Sequence, residues 1–203
     1  MLARYAKAFF NRLLTPVARL LLRLGVSPDV ITVIGTLGVS AAALAFYPRG
    51  KFVAGTLIIT AFVFSDTLDG TMARLQGRPS TWGAFLDSTM DRIADCCVFA
   101  GLLWWFAGDG DQVVLAGVTV ACLVGSAVVP YAKARAESLG RNADVGFFER
   151  SERLVIALIG TGLDGFGVPY VQAVSLWVVA IASAVTAVQR IWTVRTQVRA
   201  SEA

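Results

Sequence analysis

Aspartates at short, fixed spacings carry the first chemistry legible in this chain. Asp66 and Asp69 lie three residues apart, while Asp87, Asp91 and Asp95 follow one another at intervals of four. On helices each set shares one face, and the connection from Gly70 to Gly83 lets two helices run antiparallel so that the carboxylate faces converge. Ionisable groups near the centre of a membrane helix cost about 2.5–3.5 kcal/mol each on insertion scales, and carboxylates gathered without partners repel one another. Divalent cations relieve that repulsion. An oxygen-only donor set favours hard ions such as Mg²⁺ or Mn²⁺, and two ions suit four carboxylates and phosphoryl chemistry, where paired metals neutralise charge developing in an in-line displacement. On spacing alone a structural alternative stays open, with the carboxylates salt-bridged to Arg74, Arg78 and Arg92 and Asp95 hydrogen-bonded inside a bundle.

The elements that must position these acids are apolar. The chain has 203 residues, 56% hydrophobic and 16% charged, with a mean hydropathy of +0.67, whereas charged residues make up about 25% of an ordinary soluble domain. This composition is too apolar for an ordinary soluble domain, argues against a disordered chain and points to a membrane protein, expected to be all-α from the length of its apolar segments. The absence of His excludes a His general base, a Ser-His-Asp triad and an imidazole-bound zinc. Cys96, Cys97 and Cys122 lie in apolar runs without metal-ligand spacing and read as small core residues. A spanning helix needs about 20 mostly apolar residues, and six segments qualify, near 30–47, 52–68, 88–106, 113–132, 154–163 with its flanks, and 170–192. The fifth is the weakest, needing flanking residues such as Phe147, Phe148 and 165–168. The expected organisation is one domain over 1–203, with an interfacial helix over 1–25 and a six-helix transmembrane bundle over 26–203. In the first span Gly35, Gly38, Ala42 and Ala45 form a small-residue stripe that lets a neighbouring helix approach closely.

Basic residues set the orientation, because they collect on the cytoplasmic side. Arg4, Lys7, Arg12, Arg19 and Arg23 precede the first span, Arg74 and Arg78 follow the second, Lys133, Arg135, Arg141, Arg150 and Arg153 lie between the fourth and fifth, and Arg190, Arg195 and Arg199 end the sixth. The opposite face carries Arg49 and Lys51, with Asp109, Asp111 and Asp164. Both termini and the acidic site are therefore expected to face the cytoplasm from the plasma membrane. Within the first 25 residues Arg12, Arg19 and Arg23 interrupt any signal-peptide core. Phe10, Leu13, Leu14, Val17, Leu20, Leu21 and Leu24 recur at helical spacing instead, which predicts an amphipathic helix lying on anionic lipid.

From Asp66 the chain reads Asp-x-x-Asp-Gly-x-x-Ala-Arg, ending at Ala73 and Arg74, and after eight residues Gly83-x-x-x-Asp87-x-x-x-Asp91. This string resembles the signature of the CDP-alcohol phosphotransferase family at all eight of its defining positions. The resemblance implies a six-helix membrane enzyme, usually a homodimer, that uses two metal ions to cleave a CDP-linked substrate and release CMP. It implies that Asp66, Asp69, Asp87 and Asp91 are metal ligands and that Asp91 is also the base taking the acceptor's proton. Gly70 and Ala73 would let the nucleotide lie against the helix, and Arg74 would meet the pyrophosphate, a role suited to a forked guanidinium. Ser27-Pro28-Asp29-Val30-Ile31-Thr32 is similar to a second family element, which adds Asp29, Val30, Ile31 and Thr32 to the nucleotide pocket. Its alternative reading is helix-start chemistry, a Ser cap followed by Pro in the first turn. Ser80 and Thr81 either donate hydroxyls to the nucleotide or cap the third span.

Lys133 and Arg135 extend from the fourth span, Arg153 opens the fifth and Arg195 ends the sixth, and together they suit a phosphorylated acceptor, because a phosphate dianion calls for several charge-assisted donors. The positive-inside bias alone also supplies such cations. The stretches 131–137 and 146–154 resemble the bacterial phosphatidylinositol phosphate synthases. That likeness implies transfer of the phosphatidyl group from CDP-diacylglycerol to inositol 1-phosphate. Relatives that use glycerol 3-phosphate share this layout and are the alternative acceptor class. A cation transporter is the alternative of another kind, but it would spread acids along a pathway near the midplane, whereas these cluster at one end. Membrane lipids are expected partners and nucleic acid is not.

Overall fold

A computed structural model describes residues 14–77, 80–146 and 148–202, apart from the side chain of Asp66. The interfacial residues before 14, together with Arg78 and Phe147, lie outside the described residues. Residues 14–23 are helical. Six long helices follow: α1 (Pro28–Phe46), α2 (Phe52–Leu75), α3 (Thr81–Ala107), α4 (Val113–Ser138), α5 (Arg150–Gly165) and α6 (Val171–Glu202), with a 3₁₀ turn at Tyr47–Arg49 and no strand among the described residues.

Local signals start and stop these helices. Ser27 Oγ accepts the Val30 N–H at 3.4 Å just ahead of Pro28, and Ser80 Oγ accepts the Gly83 N–H at 2.8 Å to open α3, so both serines satisfy donors that a helix start leaves orphaned. Glu149 and Glu152 form a reciprocal capping box at the start of α5, with the Glu149 N–H donating to Glu152 Oε2 at 2.9 Å. The helices outrun the apolar segments that announce them. In particular, α2 reaches Leu75 and α3 begins at Thr81. The expected connection from Gly70 to Gly83 therefore shrinks to 76–80, with both glycines inside helices, because backbone hydrogen bonding continues where apolarity stops.

Among the described residues, four stretches are long and apolar enough to cross a membrane: Pro28–Arg49, Phe52–Leu75, Val113–Ser138 and Val171–Glu202. Their outer surfaces present Leu37, Leu57, Val124 and Ile181, the pattern of helices that bury one side in protein and the other in lipid. The protein is thus membrane-embedded. The 16 residues of α5 are short for a crossing, and α3 carries Asp87, Asp91, Arg92 and Asp95 within its length.

The chain divides into two compact units, 1–42 with 57–94 and 43–56 with 95–203. In the first, α1 and α2 approach closely through the predicted stripe. A methyl group on Gly35 would collide with Ser65, and one on Gly38 with the Phe62 ring. Val39 and Ala42 continue that buried face. Ala45 departs from the expectation and is exposed.

In the second unit Val98, Phe99, Leu102 and Phe106 of α3 are buried at the spacing of one helical face, and Phe52 meets Trp105 edge-on at 5.5 Å. Tyr47 is fully buried, its hydroxyl 3.0 Å from Thr56 Oγ1. Helix α6 packs on both α4 and α5. Small residues permit this, since a methyl on Gly125 would lie 2.6 Å from Ser183 Cβ and one on Gly160 would strike Ser175.

Candidate functional site

A cavity of about 450 Å³ opens in the first unit, lined by Ser27, Pro28, Asp29, Thr32, Asp69, Gly70, Ala73, Gln76, Ser80, Gly83, Ala84 and Asp87. Its size falls within the range of about 300–1,000 Å³ usual for small-molecule sites. Three helices supply it. The start of α1 gives Asp29 and Thr32, the last turns of α2 give Asp69, Gly70 and Ala73 with Gln76 just beyond, and the first turns of α3 give Gly83, Ala84 and Asp87.

Asp69 is 6% exposed and Thr32 7%, and the Thr32 hydroxyl donates to Asp69 Oδ2 at 2.6 Å. The Pro28 carbonyl, at 3.2 Å from the same hydroxyl, is the weaker acceptor. The short bond to the carboxylate fixes Asp69 while leaving oxygen lone pairs for another partner. Asp87 lines the cavity from α3 and is exposed. Asp91, one turn further along, is half-buried, with Arg92 Nη2 3.7 Å from its Oδ2. Asp66 lies on α2 one turn before Asp69, and its side chain is outside the described atoms. Among the described residues no three acidic or thiol side chains form a metal-binding group. The donor chemistry nevertheless fits a hard divalent cation, since every acid of the signature is a carboxylate and one is already oriented by a hydroxyl.

The small residues of the signature, Gly70, Ala73 and Gly83, line the cavity. A methyl on Gly70 would meet only Arg74 Nη1, at an ordinary 3.5 Å, so the guanidinium lies beside the cavity wall. Arg74 Nη2 also donates to Thr71 Oγ1 at 3.0 Å. Of the remaining predicted nucleotide residues, Asp29, Thr32, Ala73 and Ser80 line the cavity, whereas Val30 and Ile31 do not. Val30 is 46% exposed; a helix start can turn only part of its circumference to the cavity, and Asp29 and Thr32 occupy that part. Sequence reasoning missed Gln76 and Ala84 as lining residues. Helical spacing carried the signal, because Gln76 follows Asp69 by seven and Ala84 precedes Asp87 by three, on the same faces.

Asp95 takes no part in this cavity. It is 3% exposed and pairs with Arg150, whose Nε lies 3.2 Å from both carboxylate oxygens and whose Nη2 is 3.2 Å from Oδ1.

The four basic residues expected to meet an acceptor phosphate belong to the second unit, each with its own surroundings. Lys133 Nζ bonds Asp144 Oδ1 at 2.6 Å, Arg135 Nη1 reaches Ser138 Oγ at 3.3 Å, Arg153 is 3% exposed, and the Arg195 guanidinium lies 5.7 Å from the Trp192 ring centroid. The Lys133 ammonium, bonded to Asp144 and acting on it through charge, holds that carboxyl below its usual range.

The model of the CDP-alcohol phosphatidyltransferase family matches residues 25–189. The chain is 55% identical to a phosphatidylinositol phosphate synthase of Streptomyces avermitilis over 202 residues, covering 96% of this chain and 83% of that protein. It is 48% identical to the phosphatidylinositol phosphate synthase of Mycobacterium tuberculosis over 194 residues, covering 94% and 89% of the two. A crystal structure of the M. tuberculosis synthase with CDP-DAG bound superposes with a TM-score of 0.87 at 48% identity, covering 90% of this chain and 94% of that one. Another, in complex with manganese and citrate, also gives 0.87 and covers 90% and 89%.

Proposed function

Because the chain belongs to the CDP-alcohol phosphatidyltransferase family, and is a transferase of phospholipid biosynthesis, we propose that it acts as a phosphatidylinositol phosphate synthase, moving the phosphatidyl group of CDP-diacylglycerol to inositol 1-phosphate with release of CMP. The observation that carries this reading is the cavity that Thr32, Asp69, Gly70, Ala73 and Asp87 of the family elements line together. High identity to synthases of this name, across nearly the whole chain, supports the choice of acceptor.

In this reading the acceptor hydroxyl attacks the phosphorus that bears the diacylglycerol ester. Its proton passes to Asp91, the bond from that phosphorus to the bridging oxygen breaks, and CMP leaves with the electron pair. Divalent ions, two of Mg²⁺ with Mn²⁺ as the alternative, would neutralise charge on the pyrophosphate when held by Asp66, Asp69, Asp87 and Asp91. Thr32 keeps Asp69 in one orientation, Arg74 offers its fork to the pyrophosphate, and Gly70 and Ala73 leave room for the nucleotide beside Asp29 and Ser80. Lys133, Arg135, Arg153 and Arg195 hold the acceptor phosphate through charge-assisted bonds.

The reading extends to the whole chain as one membrane domain. All six helices cross the plasma membrane in a homodimer whose site opens to the cytoplasm, and the N-terminal helix lies at the interface. Exposed Val17, Leu20 and Leu24 beside buried Ala18 support that interfacial placement.

Purified protein given labelled CDP-diacylglycerol and Mg²⁺ with inositol 1-phosphate, glycerol 3-phosphate, inositol or serine tests the reading. Inositol 1-phosphate should be used at least a hundredfold more efficiently than inositol, since even two charged hydrogen bonds lost at about 1.5–3 kcal/mol each reach that ratio. Preference for glycerol 3-phosphate would reassign the acceptor, and preference for an uncharged alcohol would remove the case for a phosphate pocket.

A further inference from the structure

Among the described residues of the 139–149 connection between α4 and α5 there is no regular structure beyond the first turn, yet α6 fastens it at several points. Asn142 and Gln197 exchange bonds, with the Asn142 N–H donating to Gln197 Oε1 at 3.0 Å and Gln197 Nε2 donating to the Asn142 carbonyl at 2.5 Å. Arg141 donates to Ser201 Oγ at 2.7 Å, and Arg190 donates to the Val145 carbonyl at 3.0 Å. Gly146, at φ +140°, lies against Thr186, where a methyl group would come within 2.5 Å of Cγ2. A side chain is excluded there on both counts. The Asp144 N–H, finally, is held by Asn142 Oδ1 at 2.7 Å.

These restraints fix one carboxylate. Asp144 stands 2.6 Å from Lys133 Nζ with 72% of its side chain exposed. An exposed ion pair contributes little to stability, so the pair itself does not account for the fastening. Resting on the acceptor assignment above, Lys133 would receive a phosphate dianion, and a fixed anion beside it opposes the binding of phosphate alone. The carboxylate becomes favourable when the ligand brings hydroxyl donors along with its phosphate, since a carboxylate bonded to one ammonium still has lone pairs free to accept hydrogen bonds.

We propose that Asp144 is a specificity-determining residue that accepts hydrogen bonds from ring hydroxyls of inositol 1-phosphate while Lys133 holds the phosphate. The dyad matches a ligand with one anionic end and several hydroxyls. It discriminates against glycerol 3-phosphate, which keeps only one hydroxyl after the other is used as nucleophile, and against inorganic phosphate, which feels the repulsion without the compensating bonds.

Steady-state kinetics on the purified full-length protein and on its Asp144→Ala and Asp144→Glu variants test this. Asp144→Ala should raise the KM for inositol 1-phosphate roughly tenfold or more, the loss of one or two hydrogen bonds to a charged group, leave the KM for CDP-diacylglycerol nearly unchanged, and make inorganic phosphate a tighter competitive inhibitor. Asp144→Glu should recover part of the loss. A fall in the KM for inositol 1-phosphate parallel to that inhibition constant would make Asp144 a counter-ion of Lys133 only, and an unchanged KM would give it no role in the acceptor site. Either result overturns the proposal while wild-type use of inositol 1-phosphate stands. Wild-type preference for glycerol 3-phosphate would instead overturn the acceptor assignment and this inference with it.

Discussion

Thr32 shows how a residue's place changes its meaning. By sequence it belongs to a short element next to a nucleotide pocket or to a helix start, and the structure gives its hydroxyl to Asp69 at 2.6 Å. The nearest counterpart is the outer-shell hydrogen bond that orients a metal-ligating carboxylate, whose loss typically costs about 10–100-fold in metal affinity or activity. Thr32→Val keeps the shape and removes the donor. Mg²⁺ titration of activity should then show a half-saturating concentration raised by about tenfold or more, with the maximal rate partly recovered at high Mg²⁺. An unchanged Mg²⁺ dependence would confine Thr32 to packing. The pairing was not legible in the sequence because the two residues are separated by 37 positions. Asp69 itself was singled out by its type and its spacing from Asp66, and it lines the cavity.

At the scale of elements, helical periodicity located the apolar cores well and the polar ends poorly. Hydropathy marks where lipid-compatible residues stop, whereas α2 continues to Leu75 and α3 starts at Thr81. The stretches that hydropathy leaves out carry Ala73, Gln76, Gly83 and Ala84, so the ends it truncates are the ones that build the cavity. The helical spacing that links Asp87 and Asp91 continues to Asp95, which it groups with the site and the structure commits to Arg150. That pair ties the middle of α3 to the start of α5. Removing one partner of a buried ion pair costs about 3–5 kcal/mol, and the 23% exposure of the Arg150 side chain argues for the lower end. Asp95→Asn should therefore lower the thermal unfolding midpoint by several degrees in detergent while leaving the Mg²⁺ dependence of the remaining activity unaltered. A shift in Mg²⁺ dependence without loss of stability would add Asp95 to the metal-binding carboxylates.

For the whole molecule, membrane embedding followed from composition, and the helices followed from apolar runs near the length that a spanning helix needs. The count of crossings is less direct. Helix α3 carries signature acids and α5 is short, so neither declares itself by apolarity. Charge distribution carries the proposed orientation. Lys133, Arg135, Arg141, Arg190, Arg195 and Arg199 lie in or beside the C-terminal turns of α4 and α6, while the connection between α3 and α4 presents Asp109 and Asp111. Under the positive-inside rule the basic end is expected to be cytoplasmic. Asp109 and Glu137 are both exposed, so single substitutions to cysteine report on the two faces. Cys122 is buried and Cys96 and Cys97 lie within α3, and the unsubstituted chain measures their background. A membrane-impermeant maleimide should label Asp109→Cys in intact cells and Glu137→Cys only after permeabilisation. The opposite pattern would place the acceptor cations on the outer face, away from cytoplasmic CDP-linked substrates, and would overturn the orientation together with the access route it implies.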